Sequence, residues 1–194
     1  MSRLIKIVIP DAGPINTLAA AGLLDLLLAP PNTQVVVVKS VLNEIVHRRP
    51  ELSYFIKMNA ARIQIVETSI CKDDATKAVQ GIPAGRGRGD LAIADFIMNY
   101  IDDVLGNGPA LVIFEDIKFG RLRNLDAYSQ NAHFITTAAF LRKLKAEGKI
   151  ESFEEVWEQI VAKNSSPDPK LHRAPNPIEI EQEASRGSSI FKPK

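Results

Sequence analysis

Four short runs of branched apolar residues, separated by stretches with helical periodicity, constrain this chain more than any other feature. Residues 4–9 read LIKIVI, 34–38 QVVVV, 62–67 RIQIVE and 110–116 ALVIFED. Compact runs rich in Val and Ile describe strands, and the near-continuous ones describe strands buried on both faces. Between and after them lie INTLAAAGLLDLLL (15–28), SVLNEIVHRR (40–49), Leu52–Ala61, a helical turn near Asp73–Gln80, DLAIADFIMNYIDDV (90–104), Thr137–Gly148 and Ser152–Lys163. Pro14 is placed to open the first helix, Ser40 to cap the second and Pro50 to end it. Strands alternating with helices imply an α/β domain of three layers, α/β/α, around a mostly parallel sheet of four to five strands. That domain spans residues 1–163. From Asn164 the composition changes. Residues 164–194 hold five of the twelve prolines and little apolar pattern, which predicts an extended or disordered C-terminal tail.

Bulk properties exclude several classes. With 194 residues, 45% hydrophobic and 24% charged, the chain has ordinary globular composition. A net charge of +1 gives no global basic footprint, so contact with nucleic acid must come from local patches. Cys71 stands alone, which fits a reducing compartment. The stretch Leu18–Leu28 is broken by Asp25 and falls short of the ~20 residues that a membrane span requires. These features predict a cytoplasmic protein with no membrane partner.

Acids recur where strands end and helices begin. Asp11 follows the first strand, Glu44 lies in the helix after the second, Asp90 opens the helix after GRGRG, and Glu115-Asp116 end the last strand. In an open α/β sheet ligands bind beyond the carboxyl ends of the strands, so these junctions share one edge. Several carboxylates in a small volume raise one another's pKa, and a divalent cation relieves that repulsion. Hard oxygen donors select Mg2+ or Mn2+. Each acid also has a plainer explanation. Asp11 can cap a helix, Asp90 can complement a helix dipole, and Glu115 and Asp116 can be solvated turn acids. Glu44 is a poor capping-box residue, because with Ser40 as N-cap the N3 position is Asn43.

Cations gather beside the acids: His47-Arg48-Arg49, Arg86 and Arg88, and Lys118, Arg121 and Arg123. Arg48, Arg86 and Arg121 are the candidate phosphate contacts, although a lone surface arginine is more often simply solvated. No phosphate-binding loop, dinucleotide fingerprint or nucleophile elbow is present. His47, His133 and His172 lack zinc spacing, and Cys71 has no histidine partner in sequence.

In this order, the segments IVIPDAGPINTLAAAGLLDLL, VVVVKSVLNEIV, GDLAIADFI and LVIFEDIKFGRL resemble the PIN-domain nucleases, in particular the branch that includes toxin ribonucleases of type II toxin–antitoxin pairs. TTAAFLRKLKAEGKI is similar to the small-residue helix and basic turn that follow in one subgroup. The resemblance spans residues 4–160. It implies a PIN-like fold and an endoribonuclease dependent on Mg2+ or Mn2+, with Asp11, Glu44, Asp90 and Asp116 as catalytic metal ligands. Glu115 and Asn16 would support those ligands from behind. It also implies an RNA substrate, hydrolysis leaving a 5′-phosphate, an antitoxin protein as partner and a homodimer. GRGRGD stands where that subgroup often reads Gly-Glu-x-Glu, and Gly13 stands where it often has Ser, Thr or Asn. A catalytically weakened PIN-like module that binds nucleic acid or protein is therefore the alternative.

Overall fold

A computed structural model describes residues 4–9, 12–46, 49–83, 88–106, 108–115 and 132–163, and of Asp90 only the backbone. Five parallel strands form the central sheet: β1 (Ile5–Ile9), β2 (Thr33–Val38), β3 (Ile63–Val66), β4 (Ala110–Phe114) and β5 (Ala132–Thr136), in the order β3-β2-β1-β4-β5. The helices among the described residues are α1 (Ala12–Ala20), α2 (Lys39–Ile45), α3 (Pro50–Met58), α4 (Ser69–Val79), α5 (Arg88–Asn99), α6 (Ile101–Leu105), α7 (Thr137–Ala146) and α8 (Phe153–Lys163). Two 3-10 turns, Leu24–Leu28 and Ala60–Arg62, complete the set.

The layers follow from the handedness of parallel crossovers. The chain steps one way from β1 to β2 and β3, then returns to pair β4 on the other side of β1. Right-handed connections therefore set α1 and the α4–α6 crossover on opposite faces. α8 packs on both α1 and α7, joining these to one layer, while α4, α5 and α6 pack together in the other. With both faces covered, consecutive residues of the inner strands are buried: Ile7, Val8 and Ile9 of β1 are each 0% exposed. The three-layer parallel sheet expected from sequence is the architecture of the chain.

Details differ from expectation for local reasons. The single helix expected over 15–28 is split after Ala20, because Gly22 takes φ +70° and ends α1. Its amide donates to Ala19 O at 3.0 Å and that of Leu23 to Leu18 O at 2.8 Å, the paired bonds of a Schellman cap. The helix expected over 90–104 breaks at Tyr100, whose backbone (φ −126°, ψ −20°) leaves the helical region. Val38, not Ser40, is the N-cap of α2, and Ser40 Oγ is buried without a hydrogen-bond partner among the described residues. Pro50 opens α3 rather than closing α2. The turn expected near Asp73–Gln80 is a full helix, α4, capped by Thr68, whose Oγ1 accepts from the Cys71 amide at 3.3 Å. β5 was not among the four runs singled out. The tail, residues 164–194, lies outside the described residues.

At the amino edge of the sheet, Arg62 donates to Leu28 O at 2.9 Å, Thr33 O at 3.1 Å and Pro30 O at 3.3 Å, tying β3 to the approach of β2. No helix among the described residues is long and apolar enough to cross a membrane.

Candidate functional site at the carboxyl edge of the sheet

Strand order reverses between β1 and β4, and the crevice of an open parallel sheet lies beyond the carboxyl ends of such a pair. Glu115 is the first residue past β4. Its Oε2 accepts a hydrogen bond from Thr17 Oγ1 of α1 at 2.8 Å. Thr17 is 2% exposed, so this bond is held inside the packing of α1 while the carboxylate remains half-buried at the edge. The next helical residue back, Asn16, is also half-buried.

A second carboxylate reaches the edge from α2. Glu44 is exposed, and its Oε2 lies 3.6 Å from where a Cβ would stand on Gly89. Gly89 is in the first turn of α5, one residue before Asp90. That end of a helix is the one where a carboxylate is favoured by the helix dipole.

The start of α5 is fixed by ties to α4. Arg88 Nε donates to Asp74 Oδ1 at 2.6 Å, and its Nη2 to Asp73 Oδ2. Asp73 also accepts from Lys77 at 2.7 Å, and that bond, then the one from Arg88, holds its carboxyl below the usual range. Further along, Asp95 Oδ2 accepts from Ser69 Oγ at 2.7 Å and from the Ile70 amide at 3.2 Å, while Oδ1 accepts from Asn99 at 2.9 Å. Asp95 thus caps α4 from a neighbouring helix.

The residues expected from sequence fall into three groups. Of the described ones, Glu115 follows β4, Glu44 lies beside Gly89 at the start of α5, and Asn16 is half-buried on α1. Asp90 sits by its backbone in the first turn of α5. Asp11, Asp116, Arg48, Arg86 and Arg121 lie outside the described residues. Among the described residues no group of three or more His, Cys, Asp or Glu is placed to hold a metal ion. Two cations of the expected basic patches are already engaged: Arg88 by Asp73 and Asp74, and Arg49 at 3.9 Å from Glu51. Thr17 and Asp95 were not anticipated. A threonine on the buried stripe of a helix reads as ordinary packing, and an aspartate that caps a different helix leaves no local signature.

Chemically, the described edge offers carboxylate and amide oxygens. Cys71 is buried beside Thr68 at the start of α4, and His133 lies within β5 opposite Leu111 rather than at its end. Hard oxygen donors of this kind are those that Mg2+ or Mn2+ favour. No protein-family model, curated protein or solved structure matches the chain.

Proposed function

We propose that the chain is a divalent-metal-dependent endoribonuclease of PIN type, with Asp11, Glu44, Asp90 and Asp116 as the residues that would hold Mg2+ or Mn2+. The observation that carries this reading is the placing of two carboxylates in a parallel α/β fold: Glu115 directly after β4 and bonded by Thr17 of α1, and Glu44 beside Gly89 in the first turn of α5, next to Asp90 in sequence. Asp11 and Asp116 adjoin the ends of β1 and β4 in sequence, which supports counting them with the same edge. The oxygen-only donor set fits a hard cation.

When bound, such an ion supplies Lewis-acid polarisation of a phosphoryl oxygen and an acidified water. The chain's own residues do the rest. Glu44 brings a carboxylate to the start of α5. Thr17 fixes the orientation of Glu115, so that carboxylate meets the crevice in one rotamer. Arg48, Arg86 and Arg121 would neutralise neighbouring phosphates of an RNA strand. The same reading carries a cytoplasmic setting, an antitoxin protein as partner and a homodimer.

The test is cleavage of single-stranded RNA by purified protein with Mn2+, with chelator, and with Asp11→Asn. Cleavage is expected only for the unaltered protein with metal. Metal-dependent cleavage retained by Asp11→Asn refutes the assignment of that residue. GRGRGD leading into α5, where the resembling subgroup often carries Gly-Glu-x-Glu, favours a second reading, a binding module without catalysis. Calorimetric titration with Mn2+ separates the two: no heat of binding, together with RNA binding that ignores chelator, selects the module.

A further inference from the structure

The two outer strands of the sheet are finished differently. β5 keeps its large apolar side chains covered, with Phe134 9% and Ile135 0% exposed. β3 is open: Ile65 is 46% exposed, Ile63 and Gln64 are half-buried, and among the described residues β3 pairs only with β2. An open outer strand presents unpaired N–H and C=O groups, a template for one more strand, and folded chains usually cover or charge such an edge. β3 has no charged residue of its own to do so. The helix before it, α3, adds exposed Tyr54 and Met58, one turn apart.

The chain beyond Lys163 contains one stretch with strand alternation, Ile178-Glu179-Ile180-Glu181-Gln182-Glu183. We propose that this segment adds to β3 of the same molecule as a sixth strand. Its six residues are enough to cover the four of β3. Side chains alternate between the two faces of a strand, so Ile178 and Ile180 would share one face, with Ile65 available as an apolar neighbour. Glu179, Glu181 and Glu183 would take the other, putting charge on the new outer strand and blocking further pairing. Pro175 and Pro177 bias the residues before them toward extended backbone and suit the entry of an edge strand. Reach is ample. The fourteen residues 164–177 span up to ~45–50 Å when extended, at ~3.3–3.6 Å each. Five strands ~4.8 Å apart make the sheet only ~19 Å wide.

Hydrogen–deuterium exchange of the full chain tests this, comparing the unaltered protein with the double variant Ile178→Asp/Ile180→Asp. Exchange at 63–66 is expected to be about tenfold faster in the variant, the scale of losing main-chain bonds on one side of a strand. β1 amides serve as the control and should not change. Equal exchange at 63–66 in the two proteins overturns the proposal. So does protection that disappears on dilution together with a dimer seen by light scattering, because the cover is then a second copy.

Discussion

Replacing Asp95 by Asn tests the scaffold behind the candidate site. The Asp95 carboxylate receives bonds from Ser69, Ile70 and Asn99, and through the first two it holds the start of α4 against α5. Burial alone would raise its pKa, but the bonds from Ser69, Asn99 and the Ile70 amide outweigh that effect and leave it below the ordinary range. Asn keeps the shape, removes the charge and turns one acceptor into a donor that faces donors. Hydrogen bonds to a charged group contribute about 1.5–3 kcal/mol, and a half-buried site takes the lower end, so the expected loss at neutral pH is about 1.5 kcal/mol. With a urea slope of about 2 kcal/mol/M, the unfolding midpoint falls by about 0.7 M. The sign of the pH dependence follows from the depressed pKa. The contribution is present above the unfolded carboxyl value, about 3.9, and is lost as pH falls through the folded value. Urea titrations read by the fluorescence of Trp157, the single tryptophan, should therefore show the full gap at about pH 7 and a closing gap below about pH 4. No gap at neutral pH, or one that persists undiminished in acid, would refute the reasoning.

Three further substitutions bear on the same framework. Thr17→Val keeps the volume but removes the hydroxyl that holds Glu115; about 1.5 kcal/mol should be lost, seen as a Tm lower by roughly 3–6 °C, with Thr17→Ser closer to the unaltered protein. Gly148→Ala forces a Cβ onto a residue at φ +65° and should cost about 1–2 kcal/mol in urea unfolding, although nothing lies within 4 Å of that Cβ. Phe96, 0% exposed, fills the core beneath α5; Phe96→Ala should cost about 3–5 kcal/mol and lower the urea midpoint most of all.

Much of the fold was legible because its signals are local. Val36, Val37 and Val38 stand in an unbroken branched run, and such a run has few homes other than a covered parallel strand. Helix ends were harder. The apolar period passes straight through Gly22, and only its left-handed backbone says that α1 stops there. Ser40 looks like an N-cap in sequence, yet β2 feeds α2 so directly that Val38 takes that position. Ala132–Thr136, an outer strand, is short and carries His133, so it lacks the uninterrupted apolar run of β4. At the candidate site, the alignment of acids with strand and helix ends was readable, as Glu44 and Glu115 illustrate. Their partners were not, because Thr17 lies 98 residues from Glu115 in sequence and Gly89 meets Glu44 only through packing. Arg88 is the instructive case: beside Asp90 it reads as one cation of a basic patch, but two aspartates of the neighbouring helix claim it.

The position of β1 in the sheet has a consequence for how the chain is made. Its partner β2 follows within about thirty residues, whereas its other partner, β4, arrives about a hundred residues later. Closing the short loop comes first, so β1, α1 and β2 form a local unit while one side of β1 waits. At a synthesis rate of about 5–20 residues per second, that wait lasts roughly 5–20 s. Throughout it the carboxyl-edge crevice has only one wall, and any chemistry that needs both is withheld from an unfinished chain. The waiting flank of β1 is all Ile, Val and Lys, and it is where a folding helper or a wrong strand would first take hold of a nascent molecule.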